Sequence, residues 1–164
     1  MWFNLLGFNL CWFGLVLYGN NFSVIALSWL TIHVYLVMEK KAEVTLIILV
    51  MLIGTIIDTS LLHLGVFTFD TSYIIPFWLI VLWGCFAATI NHSLVFLSGS
   101  KTLQCLCGLV FAPLSYIGGA SLSAVTLSYS LAMTYLLLAL IWGPLMVLLF
   151  SLKTKIYNTR MSYA

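Results

Sequence analysis

The sequence predicts an all-α protein, a polytopic membrane bundle of six transmembrane helices with both termini in the cytoplasm. Of its 164 residues, 63% are hydrophobic and 6% are charged, whereas a soluble domain carries about 25% charged residues. Six segments approach the roughly 20 apolar residues that a helix needs to cross about 30 Å of hydrocarbon. All six Lys and Arg residues fall on one side of a bundle built from these segments.

The six segments follow one another along nearly the whole chain. They cover approximately residues 2–19, 22–38, 44–65, 74–97, 103–123 and 127–150. No basic residue precedes Lys40, so we expect the first segment to be a retained helix rather than a cleaved secretory signal. Residues 1–150 are therefore predicted to form a single transmembrane bundle, and residues 151–164 a polar cytoplasmic tail.

The charged residues give the orientation of the bundle. With six spans, the cations lie in the second loop, in the fourth loop and in the tail: Lys40, Lys41, Lys101, Lys153, Lys155 and Arg160. The positive-inside rule makes the side that carries these residues cytoplasmic. Asp70 is then expected outside. Five or seven spans would divide the cations between the two sides.

Asp58 is the most unusual residue, because it interrupts the apolar run LIGTIIDTSLLHLGVF. An unpaired carboxylate inside a membrane helix costs roughly 2.5–3.5 kcal/mol on insertion scales, so Asp58 needs a partner. At 1.5 Å per residue, Asp58 and Tyr116 both lie about 20 Å from the inner ends of their helices. Thr55 and Ser115 share this outer layer, and we expect Tyr116, or a water that it holds, to bond the carboxyl group.

A second polar layer is predicted nearer the cytoplasmic side. His33, Asn91 and His92 come out about 8–9 Å above the inner face. Glu39 and Glu43 are expected at the inner rim, beside this layer. The bundle thus has an outer polar layer around Asp58 and an inner one around the histidines.

The candidate site residues follow from the two layers. Asp58 and His33 are the candidate catalytic residues, although the sequence leaves open whether the protein is an enzyme. The expected ligand-binding residues are Asp58, Thr55, Ser115, Tyr116, Asn91 and His92. The two candidate catalytic residues also have a structural interpretation. Asp58 would make a hydrogen bond that fixes helix packing, and His33 would be a core histidine bonded to a backbone carbonyl.

No metal site and no cofactor are predicted. Three histidines are too few for the multi-histidine di-iron site of membrane desaturases. The sequence also contains no H-E-x-x-H, G-x-G-x-x-G or P-loop motif.

Segment five carries small residues at three–four spacing, which is typical of helix–helix contacts in membranes. They are Gly108, Ala112, Ser115, Gly119 and Ser123. The pattern predicts that segment five is the central packing helix. Pro113 and a glycine pair leave open whether it is continuous or broken.

Three runs carry a resemblance to a known family: IGTIIDTSLLHLGVF, PFWLIVLWGCFAATINHSL and APLSYIGGASL. They resemble small proteobacterial inner-membrane proteins of unknown function, over nearly the whole chain. The matching positions are Asp58, the LW pair at 82–83, Asn91, His92 and the PLSY-GG stretch. The resemblance implies a multi-pass protein of the bacterial inner (cytoplasmic) membrane. It also implies a link to lipid modification or membrane stress, because genes of this family often neighbour cyclopropane-fatty-acid-synthase-like genes. It implies no known catalytic residue.

Three functions remain open. The first is a small integral membrane protein that binds or modifies a lipid or isoprenoid through a buried polar site around Asp58. The second is the substrate-binding subunit of a small-molecule transporter, and the third is a structural subunit of a larger membrane complex. A cavity beside Asp58 favours the first, a polar pocket open to the outside favours the second, and a closed core favours the third.

The expected partners follow from the same composition. They are membrane lipid and either a membrane-protein partner or a second copy of the chain in a homo-oligomer. The net charge of +2 is too small to suggest nucleic acid.

Overall fold

The computed structural model describes residues 2–69 and 73–161 and confirms the all-α class. The helices are α1 (Trp2–Tyr18), α2 (Ser23–Leu36), α3 (Lys40–His63), α4 (Phe77–Ile90), α5 (Lys101–Ser121) and α6 (Leu131–Met161). Two short 3₁₀ helices and two strands complete the described elements: Gly19–Phe22, Val95–Gly99, β1 (Phe67–Thr68) and β2 (Thr126–Leu127). Asp70, predicted outside, and residues 162–164 of the predicted tail lie outside the described residues.

The first two helices form an antiparallel hairpin. Gly19 has a φ of 56°, in the left-handed region that glycine enters without steric cost, and the chain reverses there. A Cβ atom on Gly7 would lie 2.0 Å from the Trp29 indole nitrogen, and one on Gly14 would lie 2.3 Å from the Phe22 ring. The two glycines therefore let aromatic rings from the returning chain lie directly on the α1 backbone.

The helices alternate in direction, and three turns meet at one end of the bundle. These are the turn between α1 and α2, the α3–α4 loop and the α5–α6 loop. β1 pairs antiparallel with β2 and joins the last two loops. Asn20 Oδ1 accepts a hydrogen bond from the backbone N–H of Trp78 at 3.0 Å and joins the first turn to the start of α4. We call this end the strand end.

The opposite end carries all five lysines, and we call it the lysine end. Lys40 and Lys41 open α3, Lys101 opens α5, and Lys153 and Lys155 lie in the last part of α6. Lys153 Nζ donates a hydrogen bond of 3.1 Å to Ser98 Oγ in the α4–α5 connection. The turn between α2 and α3 lies at this end as well.

The central helix is α4, not α5. Most of the 14 residues of α4 are buried, and α4 packs against α1, α2, α3 and α6. α5 packs chiefly on α6 and leaves one apolar face exposed: Leu103, Leu106, Val110, Phe111 and Leu114. The prediction that segment five is the central packing helix is therefore wrong.

Only part of the small-residue seam on α5 makes close contacts. A Cβ atom on Gly108 would lie 2.2 Å from the Trp142 carbonyl oxygen, whereas one on Gly119 would meet nothing nearer than Val125 at 3.9 Å. α5 is continuous through Pro113.

Four helical stretches of the described chain are long and apolar enough to cross a membrane: Trp2–Leu36, which contains both helices of the α1–α2 hairpin, Lys40–His63, Lys101–Ser121 and Leu131–Asn158. Phe77–Ile90 is a shorter apolar helix. Helix length therefore does not support the predicted six spans, nor the predicted placement of the termini. α1, α2 and α4 have 17, 14 and 14 residues, about 21–26 Å at 1.5 Å per residue. The apolar runs in the sequence are longer than these helices because they continue through turns and 3₁₀ helices.

Candidate functional site

Asp58 is completely buried, and both of its carboxylate oxygens accept hydrogen bonds. The Tyr116 hydroxyl donates to Oδ1 at 2.6 Å, and Trp83 Nε1 donates to Oδ2 at 2.7 Å. The predicted contact between Asp58 and Tyr116 is therefore present. Trp83 reaches the carboxylate because Gly54, one turn earlier on α3, has no side chain: a Cβ atom there would lie 1.9 Å from the indole ring.

Aromatic rings close the space around Asp58. The Trp142 ring stacks on the Trp83 ring, with centroids 4.9 Å apart and planes 6° from parallel. The Phe67 ring stacks on the Tyr116 ring at 5.9 Å. These five residues connect α3, α4, α5, α6 and β1, and we call them the Asp58 junction.

The other two residues predicted in this layer do not bond Asp58. Thr55 Oγ1 donates to the Met51 carbonyl oxygen of its own helix at 2.7 Å. Ser115 Oγ accepts a hydrogen bond of 2.8 Å from Trp12 Nε1 and so connects α5 to α1.

A second buried carboxylate, Glu43, lies at the lysine end. Glu43 is completely buried. His33 Nε2 lies 2.8 Å from Glu43 Oε1, and His92 Nε2 lies 3.3 Å from Oε2. The Tyr157 hydroxyl also donates to Oε2. These four residues, which we call the Glu43 junction, join α2, α3, the segment after α4, and α6. A charge buried without such partners would be strongly unfavourable.

Asn4 extends the Glu43 junction to the start of α1. Its amide nitrogen donates to the Ala88 carbonyl oxygen at 2.9 Å and lies 3.4 Å from His33 Nδ1. Its Oδ1 atom accepts hydrogen bonds from Ser93, at 2.7 Å from Oγ and 3.2 Å from the backbone nitrogen. The first turn of α1 is thus fixed to the C-terminal end of α4.

A cavity of about 430 Å³ opens beside the Glu43 junction. Its polar lining is Asn4, His33, Glu39, Asn91, His92 and Tyr157, and its apolar lining is Phe3, Leu36, Val37 and Met38. Three of the predicted site residues, His33, Asn91 and His92, are therefore brought together at one cavity. The remaining four, Asp58, Thr55, Ser115 and Tyr116, do not line it.

Glu43 was predicted only at the inner rim, and neither Tyr157 nor Asn4 was predicted as a site residue. A signal for Glu43 was present, because it lies on the buried face of α3 with Leu46, Val50 and Asp58. No comparable signal marks Tyr157, which falls in the predicted polar tail, whereas α6 continues to Met161.

The Glu43 junction also contains metal-ligand types. Within the described residues, His33, Glu43 and His92 each offer one ligand atom, and these atoms all lie within 4.8 Å of one another.

The protein is all-α, with apolar helices and with polar side chains that pair inside the bundle. These features are compatible with a membrane protein. Residues 1–148 match the family described as Protein of unknown function (DUF2878), and the chain belongs to that family. This membership confirms the resemblance to a family of unknown function. No curated protein and no solved structure matches the chain.

The Asp58 junction predicts a stability effect that a matched tyrosine lacks. Tyr116→Phe leaves Asp58 Oδ1 buried without its donor, which should lower stability by about 1–3 kcal/mol. Tyr129→Phe is the control, because Tyr129 lies in the loop after β2 and is 47% exposed. Thermal unfolding in detergent should show a lower Tm for Tyr116→Phe alone. Equal Tm values for the two variants would contradict the importance of this bond.

Proposed function

We propose that this chain is a multi-pass protein of a bacterial inner membrane that binds a membrane amphiphile, a lipid or an isoprenoid, at the lysine end. The observation that carries the proposal is the mixed lining of the cavity beside the Glu43 junction. Its lining combines imidazole, amide and phenol groups, which suit a polar head group, with apolar side chains, which suit a hydrocarbon chain. The volume of about 430 Å³ lies in the range of small-molecule sites.

The proposal places the ligand at His33, Asn91 and His92 rather than at Asp58. His92 is the more accessible histidine, with a side chain that is 28% exposed. Asp58 has both oxygens bonded and is enclosed by rings, which favours a role in holding the helices together. We assign Tyr116, Thr55 and Ser115 the same structural role.

The proposal includes six membrane-crossing helices, with both termini and the lysine end in the cytoplasm. The α1–α2 hairpin and the alternation of loops between the two ends support this topology. All five lysines lie at one end, which agrees with the positive-inside rule. α4 is short but enclosed by other helices, and a bilayer can thin locally around a short helix such as α2.

Cysteine labelling tests the topology at two exposed positions. Met38 lies in the turn between α2 and α3 and is 96% exposed, and Tyr73 lies in the α3–α4 loop and is 88% exposed. In a background with Cys105 and Cys107 changed to Ser, a membrane-impermeant maleimide added to intact spheroplasts should label Tyr73→Cys but not Met38→Cys. Both should react after lysis. Labelling of both positions in intact spheroplasts would exclude the six-span topology.

The orientation also separates the lipid proposal from the transporter alternative. A subunit that captures a substrate from outside needs a pocket open at the strand end, whereas the cavity lies at the lysine end. The second candidate function is a structural subunit of a larger membrane complex. The closed Asp58 junction and the exposed apolar face of α5 favour that candidate, with a membrane-protein partner or a second copy of the chain against α5.

A pocket-filling variant tests amphiphile binding. Val37→Trp places an indole in the cavity, and overpacking by about 1–3 kcal/mol should reduce binding about fivefold or more. Native mass spectrometry with added dioleoyl phosphatidylethanolamine would measure the lipid-bound fraction. Ile74→Trp is the control, because Ile74 is exposed near the strand end. Equal lipid retention by both variants, or no lipid retained by the unmodified protein, would count against the proposal.

A further inference from the structure

We propose that His33, Glu43 and His92 form a binding site for a divalent transition-metal ion of the Zn²⁺ type. This site is a property of the protein beyond amphiphile binding and can be tested without any lipid. The sequence alone predicted no metal site, because three histidines are too few for a multi-histidine di-iron site. A mononuclear site needs fewer ligands.

The distances fit a single ion. In a tetrahedral zinc site with bonds of about 2.0–2.1 Å, ligand atoms lie roughly 3.3 Å apart. His33 Nε2 lies 2.8 Å from Glu43 Oε1, and His92 Nε2 lies 3.3 Å from the other carboxylate oxygen, Oε2. With all ligand atoms within 4.8 Å, small rotations of the side chains suffice to place an ion between them.

The chemistry and access of the site also fit. Two imidazoles and one carboxylate are a ligand set that catalytic zinc sites use, with a fourth position left open. His33 and His92 both line the cavity, which provides a route of entry and space for a fourth ligand. Tyr157 donates to Glu43 and fixes the orientation of the carboxylate, as groups behind metal ligands commonly do.

Asn4 determines which nitrogen of His33 carries the proton, so a change at Asn4 should alter the affinity for the ion. With its amide nitrogen 3.4 Å from His33 Nδ1, Asn4 favours the tautomer whose Nε2–H donates to Glu43. An ion on Nε2 requires the proton on Nδ1, which would then face the amide N–H group. Asn4→Asp keeps the oxygen that accepts from Ser93 and presents an acceptor to Nδ1–H. It loses the hydrogen bond to the Ala88 carbonyl oxygen, so its Tm should fall. This variant should therefore bind the ion about tenfold more tightly, as carboxylate partners of ligating histidines do.

Titration calorimetry with Zn²⁺ on chelator-treated protein in detergent tests the site, with Co²⁺ absorption as a report of coordination geometry. We expect one ion per chain, with binding weakened about tenfold or more by either His33→Gln or His92→Gln. His63→Gln is the matched control, because His63 is exposed at the opposite end of α3. The Tm of each ion-free variant verifies folding.

Three results would overturn the metal site. They are no saturable binding by the unmodified protein, unchanged binding by folded His92→Gln, and equal weakening by His63→Gln. Weaker binding by folded Asn4→Asp would contradict the placement of the ion on His33 Nε2. Failure here leaves amphiphile retention in the Val37→Trp comparison as a separate result.

Discussion

Two buried carboxylates on α3, each hydrogen-bonded by side chains from other helices, determine how the bundle is assembled. Lipid offers no hydrogen-bond partners, so a polar group inside a membrane bundle must find them within the protein. Glu43 and Asp58 lie on one face of α3, roughly 22 Å apart at 1.5 Å per residue. Asp58 takes donors from α4 and α5, and Glu43 takes them from α2, the α4–α5 connection and α6. α1 joins through Asn4 beside His33.

The two junctions differ in whether a ligand can reach them, and we therefore assign a structural role to the Asp58 junction and a binding role to the Glu43 junction. Rings from four elements enclose Asp58, and each of its two oxygens accepts a hydrogen bond. The Glu43 junction borders a cavity through both of its histidines. A carboxylate enclosed by aromatic rings can hold helices together but cannot contact a ligand, whereas the histidines beside Glu43 can contact one. The proposed amphiphile and the proposed ion therefore both belong to the lysine end.

The all-α class and the contact between Asp58 and Tyr116 could be predicted from the sequence. Composition restricts the class, and a constant rise per residue converts sequence position to depth. The partner Trp83 could not be predicted, because its position depends on how α4 packs against Gly54. The central position of α4 and the inward direction of Tyr157 are likewise set by packing. Hydropathy alone could not give the number of spans, because it continues through turns where helical hydrogen bonding stops.

The most direct test of this division between the junctions is Zn²⁺ binding by Asp58→Asn. Asparagine keeps the size of the side chain but presents an amide N–H to one of the two donors, Trp83 or Tyr116, so the Tm should fall. The Kd for Zn²⁺ should stay within about twofold of the unmodified value, because sites this far apart act nearly independently. A folded Asp58→Asn protein that has lost Zn²⁺ binding, while the unmodified protein binds the ion, would contradict the assignment of function to the Glu43 junction.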